Sequence, residues 1–357
     1  MPHYTLTEIR SQPVAWQQAL NLVRARAGQL NQLAHRNYDQ VLFTGCGSTY
    51  YLSLAAAALF QELTGRPARA VPGGELLLNG DTVLQEQRSF SSSQNEHLST
   101  GTPFLKTLLV AVSRSGTTTE TVRAVEQFKA QGRGEVIVFT NYNTALAQLG
   151  DETVIITEGQ EESVAQTRSF ASLYVAAAAF VAQVAGRVDL LGEMERLPGV
   201  GERLLGQYEG VAKEVGENLN FDRFYFLGSG TRYGLACEVN LKMKEMTLTH
   251  SEPFHFLEFR HGPMSMVNER AVVVGMVSDK NGAHERKVLA EMRALGGRIL
   301  SLGDADADVV FSSGIAEPAR GVLYLPVLQL MAFYRSLAKG LNPDRPENLT
   351  AVVKLDM

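Results

Sequence analysis

At 357 residues, with 45% hydrophobic and 20% charged side chains, the chain has enough apolar material for two packed α/β domains. A formal net charge of -5 excludes the basic track with which a nucleic-acid binder neutralises phosphates, yet leaves room for a small anion held by backbone N–H groups at a helix start. Cys46 and Cys237 are the only cysteines, which excludes a disulfide framework or thiolate metal site and makes a reducing, cytoplasmic compartment the expectation.

Residues 1–10 lack a basic region followed by an apolar run, so nothing there reads as a secretory leader. Apolar spacing from Trp16 to Leu33 predicts an amphipathic helix. Val41 to Phe43 predicts a strand that runs into Gly45-Cys46-Gly47 and then a helix opening on Ser48 and Thr49. The Ser-, Gln- and Glu-rich run 85–99 reads as a surface loop. Leu108 to Val112 is continuously apolar, as in a parallel strand buried on both faces, and the helix after it stops at Lys129-Ala130-Gln131-Gly132. Another strand follows at Val136 to Phe139. Ala171 to Ala185 is the most membrane-like stretch, but Gln183 interrupts it and it is too short to span a bilayer, so it reads as a buried helix. Pro198 to Asn218 predicts a helical connector.

The second half repeats the first. Phe43-Thr44-Gly45-Cys46-Gly47-Ser48-Thr49-Tyr50 returns 183 positions later as Phe226-Leu227-Gly228-Ser229-Gly230-Thr231-Arg232-Tyr233. Ala271 to Val277 matches the buried strand at Leu108, its helix stops at Arg293-Ala294-Leu295-Gly296-Gly297, and Arg298 to Leu302 begins the next strand. The alternation predicts two tandem α/β domains, each a doubly wound, flavodoxin-like parallel sheet with its ligand site at the carboxyl ends of the strands. The expected division is a helical segment at 1–38, domains at 39–190 and 221–340 joined by a connector at 191–220, and a tail at 341–357 in which Pro343 and Pro346 break the chain.

Ser113-Arg114-Ser115-Gly116-Thr117-Thr118-Thr119-Glu120 follows a buried strand and opens a helix, where hydroxyls, free N–H groups and the helix dipole together favour an anion. An N-cap with extra serines is the plainer reading, but capping needs fewer hydroxyls. Ser278-Asp279-Lys280-Asn281-Gly282, its counterpart, lacks that density, which assigns a phosphate to the first half. Gly45-Cys46-Gly47 has no third glycine of a dinucleotide fingerprint, and no Walker lysine is present. Glu238, Lys242, Glu245 and Thr249 share one helix face, ordinarily a solvated one, opposite Ala236, Val239, Met243 and Met246. Ser251 to Pro263 sets His255, His261, Glu252 and Glu258 among aromatics; His255 is expected to be buried, Glu258 to support the His261 loop, and Tyr50 and Tyr233 to pack.

In the ordered words Cys46-Gly47-Ser48-Thr49-Tyr50, Ser113-Arg114-Ser115-Gly116-Thr117-Thr118, Leu241-Lys242-Met243-Lys244-Glu245, His261-Gly262-Pro263 and Asn348-Leu349-Thr350, the chain resembles the sugar-isomerase (SIS) family, most closely the isomerase half of glucosamine-6-phosphate synthases. The resemblance covers residues 40 to 352. It implies a phosphorylated sugar held by Ser48, Thr49, Ser113, Arg114, Ser115 and Thr118, with Val164 and Gln166 on the substrate-lining loop. It makes Glu245 the base that moves a proton between carbons 1 and 2, Lys242 its charge-stabilising neighbour, and His261 the ring-opening group reaching across a homodimer. No metal or redox cofactor is implied, nor a nucleic-acid or membrane partner.

Two departures from the synthases shape the expectation. No glutaminase domain is expected, since the sequence opens about forty residues before the first sugar domain, and Ala351 stands where the synthases carry an imine-forming lysine, with Lys354 expected to point elsewhere. The resemblance therefore implies an isomerase or deaminase of a hexose or hexosamine 6-phosphate. The alternatives are a deglycase of a ketoamine 6-phosphate and a non-catalytic phosphosugar sensor.

Overall fold

A computed structural model describes residues 3–84, 105–350 and 352. The first half runs α1 (Tyr4–Ala25), α2 (Ala27–Ala34), β1 (Gln40–Gly45), α3 (Ser48–Thr64), β2 (Ala68–Pro72), α4 (Gly73–Leu78), α5 (Gly80–Val83), β3 (Thr107–Ser113), α6 (Thr119–Ala130), β4 (Val136–Thr140), β5 (Glu152–Ile155) and α7 (Arg168–Val184). After α8 (Val188–Met194) and α9 (Leu197–Glu217) come β6 (Arg223–Leu227), α10 (Thr231–Thr247), β7 (His250–Phe254), β8 (Ala271–Met276), α11 (Gly282–Ala294), β9 (Arg298–Gly303), β10 (Val309–Val310) and α12 (Leu325–Ala338). The loop read at 85–99, Ala351 and Lys354 lie outside the described residues.

Each half is a five-stranded parallel sheet, ordered β2-β1-β3-β4-β5 in the first and β7-β6-β8-β9-β10 in the second. The two orders are the same, and both are flavodoxin-like, with the switch point between the first strand and its inner neighbour. Strands β1, β3, β4 and β8 are buried along their whole length because helices cover both faces, as their unbroken apolar runs predict.

The repeated glycine turn is the same device in both halves. Gly47 and Gly230 adopt φ of 56° and 60°, a left-handed conformation that glycine enters without a Cβ penalty, and α3 and α10 begin on the next residue. Helix α7 is buried almost throughout, as expected for an alanine-rich core helix. The segment Gly321–Ala338 has the length and apolar composition to cross a membrane, but 83% of it is buried in the protein interior.

The N-terminal helix begins earlier than the apolar spacing predicts and divides at Arg26. Its first turn is tied from the far end of the chain: Asp344 accepts the backbone N–H of Thr5 at 2.8 Å and of Tyr4 at 3.1 Å. Part of the expected tail is thus a helix cap, which places negative charge at the N-terminus of α1.

Candidate active site at the junction of the two halves

Helices α3 and α10 pack against each other and carry the polar cluster between the halves. They approach closely because Gly234 has no side chain. A Cβ there would lie 2.5 Å from the carbonyl oxygen of Tyr51 and 2.6 Å from the nitrogen of Ala55. The contact brings Ser48, at the N-terminus of α3, onto the side of α10.

Lys242 Nζ donates to Glu245 Oε2 at 2.5 Å and to Ser48 Oγ at 3.2 Å, and Ser48 donates in turn to Glu238 Oε1 at 3.2 Å. Glu238 and Lys242 are 0% and 1% exposed, whereas the Glu245 side chain keeps 21% of its surface. The face expected to be solvated is therefore buried, because α3 covers it while the apolar face packs on the sheet. Thr249 leaves that face altogether: α10 ends at Thr247, and Thr249 Oγ1 accepts from Arg335 Nε at 2.7 Å.

Burial pushes Glu238 from its ordinary 4.5 up to about 8 against the pull of Lys242. Its Oε2 has no hydrogen-bond partner among the described residues. Burial also opposes the charge on Lys242, but Glu238 and Glu245 outweigh it and hold the ammonium above the ordinary lysine value. A raised carboxyl pKa adds stability that is full below the unfolded value and lost as pH climbs to the folded one. For Glu238 that window runs from 4.5 to about 8. Glu238→Gln is thus expected to gain thermal stability relative to the parent between about pH 5 and about pH 9. Melting curves at both pH values check this; a difference in Tm that does not change with pH refutes it.

The second part of the site is the loop after β3. Ser113 Oγ accepts the N–H of Gly116 at 3.1 Å, and Ser115 Oγ accepts from Thr117 N at 3.2 Å and Thr117 Oγ1 at 3.1 Å. Thr118 is the N-cap residue of α6 but makes no side-chain cap hydrogen bond, so its hydroxyl is not explained by capping. Arg114, 7% exposed, donates to the carbonyl of Val164 at 2.8 Å and lies 3.8 Å from Glu161. A cavity of about 270 Å³ opens here, lined by Arg114, Ser115, Thr117, Thr144, Glu161 and Val352 among others.

This cavity is not lined by Ser48, Lys242 or Glu245. Glu161, which sequence reasoning did not single out, lines this cavity, and its charge is also felt by Lys242. Its carboxylate accepts from Thr167 N at 2.7 Å and Ser169 N at 3.0 Å at the start of α7, pairs with Arg114, and adds to the field that raises Lys242. The signal in the sequence was its place two residues after Gly159, in the segment that precedes a buried helix. Gln166 lies in the same loop, and its Oε1 is buried with no hydrogen-bond partner among the described residues.

Other sequence-predicted residues stand apart. The Thr49 hydroxyl donates to the carbonyl of Cys46 and accepts its N–H, both at 3.0 Å, and so closes the glycine turn. His261 is exposed on the turn after β7, where its N–H reaches the carbonyl of Glu258 at 2.9 Å; no described hydrogen bond ties it to Lys242 or Glu245. His255, expected to be buried, is exposed, and stacks on Tyr233 with centroids 3.9 Å apart and rings 17° from parallel. The covered face lowers its pKa through desolvation.

Fold and site together define a tandem doubly wound α/β protein whose polar groups sit at the carboxyl ends of β1 and β3 and on α10, the helix of the second half that packs against α3. The chain belongs to the SIS domain family, whose model matches residues 93–183 and 220–333. It is 29% identical over 370 residues to a glutamine–fructose-6-phosphate aminotransferase (isomerizing) of Pyrococcus horikoshii and 26% identical over 366 residues to that of Methanothermobacter thermautotrophicus. Each match takes in 99% of this chain but 58% of the relative, so the chain spans little more than half the length of these proteins. Among solved structures, tagatose-6-phosphate ketose/aldose isomerase from Escherichia coli superposes with a TM-score of 0.82 at 24% identity, covering 96% of each chain. Glucosamine-6-phosphate deaminase from Thermotoga maritima does so with a TM-score of 0.76 at 24% identity, covering 99% of this chain and 100% of that one.

Proposed function

We propose that the chain is a phosphosugar isomerase or deaminase acting on a hexose or hexosamine 6-phosphate, with Glu245 moving a proton between carbons 1 and 2 of the open-chain sugar. The observation that carries this reading is the Lys242–Glu245 contact of 2.5 Å, which sets a buried ammonium against a carboxylate that remains accessible. A carboxylate suits the step because it takes a proton from one carbon and returns it to the next through an enediol or enolamine. Lys242 stabilises the charge that builds on the substrate oxygen or nitrogen in the enediolate.

The phosphate is assigned to Ser113, Arg114, Ser115 and Thr118, with Ser48 at the start of α3 and the Val164 and Gln166 loop facing the sugar. Glu161 supports the arrangement by fixing both Arg114 and the start of α7. His261, exposed and remote from the cluster by hydrogen bonding, fits a role in the neighbouring subunit of a homodimer, where it would open the sugar ring. The names borne by the relatives and structural neighbours agree with a phosphosugar substrate of this kind.

The test is to incubate the protein with glucosamine-6-phosphate, fructose-6-phosphate and tagatose-6-phosphate in deuterated water. Deuterium at carbon 2, with or without ammonia, is the expected result. Absence of both from every substrate tested, by a protein whose Tm those sugars raise, would instead leave a phosphosugar sensor.

A further inference from the structure

The second half contains the structural equivalent of the phosphate loop, and it is filled. Ser278 Oγ accepts the N–H of Asn281 at 3.0 Å, three residues on, just as Ser113 Oγ accepts that of Gly116 at 3.1 Å. The turn that presents an oxyanion is thus retained although the hydroxyls around it are gone. A 3-10 turn at Glu317–Ala319 then delivers a carboxylate into it. Glu317 Oε2 accepts from Ser278 Oγ at 3.1 Å and from the N–H of Asp279 at 2.8 Å, while Oε1 pairs with Arg232.

Arg232 has no counterpart in the first half, where Thr49 holds its place in the repeat. It is 5% exposed, stands in the first turn of α10 and also pairs with Glu285 at 2.8 Å. Its Nε is buried without a hydrogen-bond partner among the described residues. A cavity of about 360 Å³ opens onto Ser229, Thr231, Arg232, Ser278 and Glu317, with Glu62 and Lys280 at its wall. A buried guanidinium from the first turn of a long helix and a serine turn converge on one carboxylate, at the switch point of the second sheet.

We infer that the second half retains a phosphate-sized oxyanion cradle, formed by Ser278, the Asp279 N–H and Arg232, which the chain occupies with its own Glu317 carboxylate. Exogenous phosphate enters this half only when that carboxylate is removed. The inference does not depend on what the first half binds, because the test compares variants with the parent.

Thermal unfolding in potassium phosphate against potassium chloride at equal ionic strength reads the site out, since a ligand that binds only the folded chain raises Tm with its concentration. Glu317→Ala and Glu317→Gln are each expected to show a saturable, phosphate-dependent rise of several degrees beyond the parent's response. Equilibrium dialysis with labelled inorganic phosphate is expected to find one more phosphate per chain in either variant. Adding Ser278→Ala to Glu317→Ala should abolish both gains. If Glu317→Ala folds only when phosphate is present and not in chloride, that rescue is the same result in another form. A folded variant with the parent's phosphate response, or an added phosphate that survives Ser278→Ala, overturns the inference.

Discussion

Glu245→Gln is expected to lower deuterium incorporation at carbon 2 by about 10²- to 10⁴-fold, the usual contribution of a positioned general base, while sugar phosphates still raise Tm as they do in the parent. The substitution keeps the side chain's size and its capacity to accept from Lys242 Nζ, now 2.5 Å from Oε2, but removes the basic oxygen. In the proposed arrangement the phosphate is held by other residues, in the loop after β3, so affinity and turnover should separate. Lys242 keeps Ser48 at 3.2 Å and Glu238 at 3.5 Å, and because the Glu245 charge helps to hold the proton on Glu238, its removal favours an ionised Glu238 as the counter-ion of the ammonium. A variant that keeps full exchange shows that another group is the base; one that loses exchange and ligand-dependent stabilisation together shows that Glu245 holds the substrate rather than transforming it.

How much of this could be read from residues alone depended on where each element sits. The inner strands β1, β3, β4, β6 and β8 were legible because burial on both faces leaves short unbroken apolar runs, and β9, which Arg298 and Ser301 interrupt, was legible from its place after the glycine stop of α11. The four strands that sequence reasoning missed, β2, β5, β7 and β10, are the four sheet edges. An edge strand is covered less, so it tolerates residues such as Pro253 and carries little periodic signal. The start of α1 was illegible for another reason, since its cap is supplied by Asp344 from the opposite end of the chain.

The site divided along similar lines. Local devices, the glycine turns and the hydroxyl loop after β3, are visible as words in the sequence. Relations between elements are not. Nothing in the spacing of Glu238, Lys242 and Glu245 distinguishes a solvated face from one buried under another helix, and the Thr49 hydroxyl looks available until its turn is closed by Cys46. Glu161 is likewise one acid among several in its loop, and becomes central only through what surrounds it.

The helix crossing that creates the buried cluster offers the second large effect. Gly234→Ala is expected to destabilise the protein by about 1–3 kcal/mol, the cost of forcing a methyl group into a filled interface, and to depress the proposed carbon-2 exchange with it. The atoms a methyl would meet, the Tyr51 carbonyl oxygen at 2.5 Å and the Ala55 nitrogen at 2.6 Å, belong to the backbone of α3 and cannot rotate aside. Helix α3 must therefore move away from α10, taking Ser48 from its contacts with Lys242 and Glu238. Intrinsic propensity pulls the other way, since alanine favours a helix interior over glycine by about 1 kcal/mol, so a net loss isolates the packing term. Gly210→Ala supplies the comparison. Gly210 is exposed in α9, and an added Cβ meets nothing within 4 Å. That variant should be neutral or up to about 1 kcal/mol more stable, with unchanged turnover. Urea unfolding and carbon-2 exchange measured on both variants decide the matter: equal effects at the two glycines would mean that the close approach of α3 to α10 does not hold the polar cluster together.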